Sequence, residues 1–177
     1  MSLAGRILLA KPELGGDPNF DGTATLLLAH DDDGAMGLVL NRTAERSIEA
    51  LEQVWGTALT SPAGLFTGGP VGTDGVVALA HHPDAAGPLP FGLRSVDPSG
   101  PESEEHPIAR VRLFLGHAGW GPGQLEGELG QGAWWTTDGS ADLAFDPDPG
   151  SLWRRLVRGL GGDHAIWSTW TSDPSSN

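Results

Sequence analysis

Glycine and proline recur along the entire chain, and this distribution constrains the fold more than any other feature of the sequence. The 177 residues include 27 Gly and 14 Pro. Gly weakens the interior of a helix or strand, and Pro interrupts the hydrogen bonding of both. The pattern therefore predicts many short elements joined by tight turns.

The strongest local pattern is that of a β-hairpin over residues 23–41. Apolar residues dominate 23–30 and 35–41, and the tetrapeptide DDDG at 31–34 separates them. Asp favours the first positions of a β-turn, and Gly favours its position of positive φ. Two strands joined by this turn are therefore predicted. The alternative, a calcium-binding loop, would need spaced ligands and a closing Glu, and the segment has neither.

The rest of the chain contributes further short strands. They are predicted over residues 5–10, 65–70, 75–82, 94–96, 110–116, 132–137, 141–145 and 165–171. Within 110–116 the residues alternate, so that Val111, Leu113 and Leu115 share one face of the strand. Arg110, Arg112 and Phe114 share the other face.

Three helices are predicted from apolar residues at helical spacing. They span residues 47–55, 123–130 and 149–160. Ser47 and Ser151 are the expected N-caps of the first and third helices, and Pro122 is suited to the first helical position of the second. Strands and helices that do not strictly alternate indicate an α+β fold, here one domain with a largely antiparallel sheet.

Two segments of this single domain, residues 1–177, are expected to be irregular. Residues 83–109 carry six Pro and predict a long loop, and residues 172–177 predict a polar tail.

Composition disfavours several classes of function. The formal net charge is −13, and the only dense group of basic residues is Arg154, Arg155 and Arg158. A nucleic-acid-binding protein needs a basic surface that displaces counterions from phosphates, so direct binding to DNA or to an anionic membrane is not expected. The chain has no Cys, which excludes disulfides, thiolate nucleophiles and Cys-based metal sites.

The first residues predict a cytoplasmic protein. The apolar run at 7–10 is too short for the core of a signal peptide, and the basic Lys11 follows it. No segment approaches the roughly 18 apolar residues that a membrane-spanning helix needs.

No cofactor and no metal site is predicted. The sequence lacks the nucleophile-elbow, P-loop, dinucleotide and H-E-x-x-H patterns. His81 and His82, followed by Asp84, are the best metal candidates, but neighbouring residues of a strand point to opposite faces. We therefore expect one buried and one solvated histidine at this position.

The segment LFLGHAGWGPGQLEGEL, residues 113–129, is a candidate site as well as a corner of the fold. A strand enters a Gly-rich turn and a helix begins, so the backbone N–H groups of 119–123 could converge on a small anion. Gln124 and Glu126 would add polar contacts at the same place.

A structural interpretation of this corner is favoured over a binding site. In it, the glycines form a tight turn and Trp120 fills the core. Glu126 and Glu128 would then be ordinary solvated side chains.

Two further corners carry polar or Gly-rich sequence. One is TGGP at 67–70, and the other is the Asn41-Arg42 pair at the end of the hairpin. The pair is favoured as a structural hydrogen-bond anchor, and the alternative is that Arg42 binds an anionic group. A polar groove would form if all three corners meet in space. The candidates for ligand or partner binding are then Asn41, Arg42, Gly68, Gly69, Pro70, Gly119, Trp120, Gln124 and Glu126.

Three blocks of the sequence resemble the signatures of the YqgE/AlgH family of bacterial proteins. They are GAMGLVLNR at 34–42, FTGGPV at 66–71 and GHAGWGPGQLEGEL at 116–129, and the resemblance extends from residue 6 to residue 175. It implies an α+β fold with a bifurcated, barrel-like sheet. Members of the family carry the label of transcriptional regulator, which derives from a role in alginate regulation, and the resemblance brings no established biochemical activity.

Two positions and one segment depart from the family pattern. His117 stands where the family usually has Tyr, and Thr43 stands where Pro usually follows the Asn-Arg pair. Residues 98–107 replace a region that is more helical in relatives. The first departure removes any role for a phenolic hydroxyl, and the third indicates that this loop is not part of a shared site.

These features together predict a non-enzymatic regulatory or interaction protein. It would act through a protein partner or a small anionic ligand, as a monomer or a dimer. The alternative is a hydrolase in which Glu126 and His117 form the catalytic pair. A DNA-binding transcription factor is least favoured, because the basic helix at 149–160 has no preceding helix at the spacing of a helix-turn-helix.

Overall fold

Short strands and short helices alternate with turns along the whole described chain. The computed structural model describes residues 1–12, 20–84, 86–100 and 107–169. The strands are β1 (Arg6–Ala10), β2 (Ala24–Asp31), β3 (Gly34–Val39), β4 (Thr43–Ala44), β5 (Leu65–Thr67), β6 (Val71–His81), β7 (Leu93–Val96), β8 (Arg110–Trp120) and β9 (Trp134–Asp138). The helices are α1 (Glu49–Trp55), α2 (Gln124–Gly130), α3 (Ala141–Ala144), α4 (Pro149–Gly159) and α5 (His164–Trp167).

One sheet contains every one of these strands. Its main path is β4-β5-β8-β3-β2-β1-β9, and β6 pairs with both β7 and β8. Neighbouring strands run antiparallel, except for the parallel pair of β5 and β8. The hairpin predicted from the DDDG turn is confirmed as β2 and β3.

Strand β8 divides the sheet into two branches. Its first half pairs with β5 and most of β6, and its second half pairs with β3. We call β3-β2-β1-β9 the first branch and β4-β5 with β6-β7 the second branch. The two branches curl into a half-barrel, which agrees with the bifurcated sheet that the family resemblance implies.

Gly116 lies where β8 changes partners. Its φ is +63°, and a Cβ atom there would lie 2.6 Å from the carbonyl oxygen of Val71 and 2.7 Å from that of Gly69. Only glycine accepts both this conformation and this close approach. The expected end of the strand at residue 116 is therefore wrong. The chain bends at Gly116 and resumes pairing as far as Trp120.

The two predicted faces of β8 are confirmed. Val111 and Leu113 pack in a cluster with Ile48 and Trp55 under α1. Phe114, on the opposite face, packs in the central cluster, which α4 covers with Leu152, Trp153 and Val157.

Arg112 shares the face of Phe114 and is 1% exposed. Its Nη1 donates to the carbonyl of Ala144 at 3.1 Å, and its Nη2 donates to the carbonyls of Ser61 at 3.1 Å and Asp146 at 3.0 Å. Burial lowers the pKa of the Arg112 guanidinium to about 10. The side chain thus ties the turn before α4 to the loop before β5.

Two segments predicted as strands near the C-terminal end form helices instead. Residues 141–145 contain α3, because the Ser140 hydroxyl accepts the N–H of Leu143 at 3.2 Å and caps the helix. Residues 165–171 overlap α5, whose Trp167 contacts the ring of Trp135 with centroids 6.4 Å apart. Residues 170 and 171 lie outside the described part of the chain.

Two predicted N-caps are wrong. Ile48 occupies the N-cap of α1, and the Ser47 hydroxyl lies 3.5 Å from the N–H of Glu49. Pro149 takes the first position of α4, where its missing N–H leaves no donor unpaired. Ser151 consequently lies inside α4, and its hydroxyl donates to the Asp148 side chain.

The α+β class and the single domain are confirmed. The described residues contain five α-helices, where about three were predicted. The short strand predicted at 94–96 is present as β7, within the expected loop of 83–109. Residues 85 and 101–106 of that loop and the expected tail at 172–177 lie outside the described residues. In the portion that is described, no helix is both long and apolar enough to cross a membrane.

Candidate functional site

The first predicted corner is formed by the end of β8 and the start of α2. Gly123 has a φ of +72° and precedes α2, so Pro122 lies outside the helix rather than in its first position. Gln124 closes the turn, because its Oε1 accepts the N–H of Gly121 at 3.1 Å. The N–H of Gly121, which was predicted to face an anion, is therefore already paired with the side chain of Gln124.

Glu128 lies at the centre of this corner. The prediction that it is an ordinary solvated side chain is wrong. Its Oε2 accepts the indole N–H of Trp120 at 3.0 Å and that of Trp134 at 2.8 Å. Its Oε1 accepts from Nε2 of Gln124 at 3.0 Å. Phe20 packs against both indole rings, with centroid distances of 6.0 and 5.5 Å. Trp120 is 6% exposed and fills the core, as in the structural interpretation of the corner.

Glu126 pairs with a histidine that the sequence did not suggest. Its Oε1 lies 2.7 Å from Nε2 of His30, and Nδ1 of His30 accepts the N–H of Leu3 at 3.1 Å. The pKa of the Glu126 carboxyl is lowered, first by its own backbone N–H and then by His30. The hydrogen bond expected between Glu126 and His117 is therefore replaced by one that ties α2 to β2.

The other two corners meet each other and hold the strands in place. Asn41 accepts the N–H of Ala24 at 2.8 Å and donates to the carbonyl of Gly22 at 2.9 Å, which closes the base of the hairpin. Nη2 of Arg42 donates to the carbonyl of Asp21 at 2.7 Å. The carbonyl of Arg42 in turn accepts the N–H of Thr67 at 2.8 Å.

Gly68 and Gly69 lie directly against β8. A Cβ atom would stand 2.4 Å from the carbonyl oxygen of Gly116 at the first position and 2.2 Å from the carbonyl carbon of His117 at the second. Pro70, the next residue, is exposed. The glycines therefore serve a close approach of two backbones.

The first corner lies apart from these two. Gly68 bonds to Val39 at one end of β3, whereas Trp120 pairs with Ala35 at the other end. Four residues of strand separate the two points by roughly 13 Å. Gly119 is exposed between them, opposite Met36 of β3. The nine predicted residues therefore do not enclose one polar groove, and their binding role stays a prediction.

A different concavity opens where the two branches diverge, and we call it the fork groove. It has a volume of about 390 Å³ and lies between β2 and β3 of the first branch and β6 and β7 of the second. Its lining residues are Leu28, Met36, Leu38, Val77, Pro88, Leu89, Arg94, Ser95 and His117. The set combines an apolar floor with two basic side chains and contains no carboxylate.

Arg94 is incompletely satisfied in this groove. Its Nη2 donates to the carbonyl of Ala86 at 2.9 Å. Its Nε is buried and has no hydrogen-bond partner among the residues that the structure describes. A guanidinium has five N–H donors, so this side chain keeps capacity for a further acceptor.

The sequence offered only weak signals for the fork groove. Its residues come from several separate segments, and only the change of partners in β8 brings them together. In the structure the groove is marked by Met36, an apolar residue that remains 37% exposed on the face of β3 opposite to Ala35.

The predicted histidine pair behaves differently at its two positions. His82 is 6% exposed, and neither ring nitrogen has a hydrogen-bond partner within the described chain. His81 is half-buried and accepts from Nη2 of Arg110 at 3.0 Å through Nδ1. Over the described residues, no group of three or more His, Asp or Glu side chains is arranged to hold a metal ion.

The sequence matches the family model described as AlgH-like (DUF179) over residues 7–165. A UPF0301 protein of Streptomyces coelicolor is 38% identical over 186 residues, which cover 99% of this chain and 96% of the relative. A UPF0301 protein of Myxococcus xanthus is 38% identical over 177 residues, which cover 93% of this chain and 94% of the relative.

Two solved structures are similar to this fold. A crystal structure of a Corynebacterium diphtheriae protein has a TM-score of 0.81 at 24% identity, covering 94% of this chain and 92% of that one. The solution structure of the AlgH protein from Pseudomonas aeruginosa has a TM-score of 0.65 at 30% identity, covering 98% of this chain and 96% of that one. None of these names states a ligand or a reaction.

Proposed function

The chain belongs to the AlgH-like family, and we propose that it is a non-enzymatic regulatory protein that binds a small anionic ligand in the fork groove. The proposal includes the cytoplasmic location predicted from the sequence. The observation that carries it is Arg94, a cation whose buried Nε has no partner among the described residues, in a groove whose described lining residues include no carboxylate. In a protein of net charge −13, such a groove is a local exception.

The polar side chains of residues 116–129 hold the structure together, which argues against catalysis within this segment. Glu128 is held by two indole N–H groups and Gln124, and Glu126 is held by His30. A general base needs a free acceptor within reach of its substrate. The pair expected for a hydrolase is not formed, so no second function is proposed.

Direct DNA binding does not enter the proposal. The basic residues of α4 are Arg154, Arg155 and Arg158, and Nη2 of Arg155 is paired with Asp146 at 2.6 Å. Binding to DNA would have to overcome the repulsion between phosphates and a net charge of −13.

A titration followed by amide resonances of the ¹⁵N-labelled full chain tests the proposal. The panel contains small carboxylates, phosphate and sulfate, with neutral and cationic compounds of matched size. We expect anions to shift the amide signals of Met36, Arg94 and His117, and the neutral and cationic compounds to leave them unchanged.

Two tryptophan substitutions give a matched comparison. Ser95→Trp fills the groove from an exposed position on β7, and Gln53→Trp places the same side chain on the exposed face of α1. The response should disappear in the first variant and persist in the second. The proposal fails if no anion shifts the groove signals, or if Ser95→Trp responds as the unaltered protein does.

A further inference from the structure

The fork groove opens where the two branches of the sheet diverge; we call this opening its mouth, and the floor of the groove belongs to the central core. Leu28 and Leu38 are 2% and 1% exposed and are members of the central cluster. Val77 and Leu89 pack against that cluster from the second branch. An apolar chain entering the mouth would therefore contact side chains that already belong to the core. Clefts lined mainly by apolar side chains with a few polar groups are common places for small-molecule binding.

The polar side chains that line the groove are Arg94, His117 and the neutral Ser95. Arg94 on β7 makes one hydrogen bond, from Nη2 to Ala86, among the residues described. His117 on β8 contributes an imidazole ring that can also donate a hydrogen bond. A site with a single permanent positive charge neutralises one negative charge, which suits a monoanion better than a dianion. The groove therefore favours a carboxylate over a phosphate monoester.

The size of the groove sets how much of a ligand it can cover. A volume of about 390 Å³ holds roughly a dozen water-sized groups at ~30 Å³ each. After the carboxylate is counted, roughly eight to ten carbon atoms remain at that size. The groove can cover an apolar chain of about this length, and the rest of a longer chain would extend beyond it.

We infer that the fork groove binds a medium-chain monocarboxylate. The carboxylate accepts from the Arg94 guanidinium at the rim, and the unbranched apolar tail lies on Leu28, Leu38 and Val77. Met36, which is 37% exposed at the entrance, covers the bound tail. This inference rests on the proposed function, because it names the class of anion that the same groove takes.

Calorimetry with four probes tests the inference on the full chain. The probes are butyrate, octanoate, octanol and octylammonium. We expect the affinity to rise by about fourfold for each methylene between butyrate and octanoate, because each buried CH₂ contributes about 0.8 kcal/mol. Octanol and octylammonium should bind at least tenfold more weakly than octanoate.

Variants separate the head group from the tail. Arg94→Gln should weaken octanoate at least tenfold, and Arg154→Gln, an exposed arginine of α4, should leave it unchanged. If Arg94→Gln does not fold, Met36→Glu and Met36→Gln replace it. The first places a negative charge at the entrance and should weaken octanoate at least fivefold relative to the second.

The outcomes distinguish the inference from the proposed function. Phosphate or sulfate binding in the groove, with no dependence on carboxylate chain length, overturns the inference and leaves the proposed function standing. Equal affinity for octanoate and octanol, or an unchanged affinity in both Arg94→Gln and Met36→Glu, also overturns it. If no panel anion binds in the groove, the inference and the proposed function fail together.

Discussion

The indole N–H of Trp120 donates to Glu128 at 3.0 Å, across the turn that joins β8 to α2. Trp134 of β9 donates to the same carboxylate oxygen at 2.8 Å. Strands β8 and β9 lie at different places in the sheet, so the side chain of one helix residue connects them. The block GWGPGQLEGEL, the most distinctive part of the sequence, is thus a structural clamp.

Replacing Glu128 should therefore destabilise the protein. Glu128→Leu leaves the indole N–H groups of two buried tryptophans without an acceptor, and we expect a loss of about 2–3 kcal/mol in the free energy of unfolding. Glu128→Gln keeps a carbonyl acceptor and should lose about half as much. Urea denaturation followed by tryptophan fluorescence measures both. Gln131→Leu, at an exposed position just after α2, is the control, and an equal effect of both Glu128 variants would contradict the clamp.

The sequence predicted the hairpin and the faces of β8, because these depend on local turn chemistry and on the two-residue period of a strand. It did not predict the continuation of β8 beyond Gly116. That continuation depends on the close approach of Gly69 and Val71 to β8, which is a tertiary contact. The fork groove follows from the same contact and was missed for the same reason.

The role of Glu128 had a signal that was available in the sequence. Gln124 and Glu128 are four residues apart, which places them on one face of a helix. Trp120 precedes Gln124 by the same interval. The sequence could not show that Trp134 also donates to Glu128. The position of Trp134 depends on the pairing of β9 with β1, which is a tertiary contact.

Arg112 should be intolerant of lysine. Three carbonyl groups accept from its guanidinium, and an ammonium on a lysine stem cannot reach all of them. We expect Arg112→Lys to cost about 3 kcal/mol in the free energy of unfolding, because buried acceptors are left unpaired beside a buried charge. Chemical denaturation measures this cost. Arg158→Lys on the exposed side of α4 is the control, and a loss below about 1 kcal/mol would contradict the account.

Gly69 and Gly127 should respond oppositely to alanine. A Cβ at position 69 would lie 2.2 Å from the His117 carbonyl carbon, and the φ of Gly69 is +153°. We expect Gly69→Ala to destabilise the protein by about 3 kcal/mol or more, because backbone atoms must move. Gly127 lies within α2 with nothing near its Cβ position, so Gly127→Ala should stabilise by about 0.5–1 kcal/mol. Thermal unfolding compares the two, and a tolerated Gly69→Ala would show that β8 and the TGGP turn are not closely packed.

His81 should make the stability depend on pH in mildly acidic solution. Burial, and then the nearby Arg110 guanidinium, lower the pKa of His81 below its usual 6.5. Nδ1 accepts from Arg110 at 3.0 Å, so the neutral ring is the form that fits the fold. In the window between the lowered pKa and 6.5, the unfolded chain binds more protons at this residue than the folded chain. The contribution of His81 to the free energy of unfolding is therefore complete above pH 6.5 and decreases as the pH falls through that window.

Replacing His81 with Gln, which does not titrate, should reduce the slope of unfolding free energy against pH between 5 and 7. Parallel urea titrations of both proteins measure the slope, with His117→Gln as the control replacement of another histidine, and identical slopes in all three proteins would contradict the assignment.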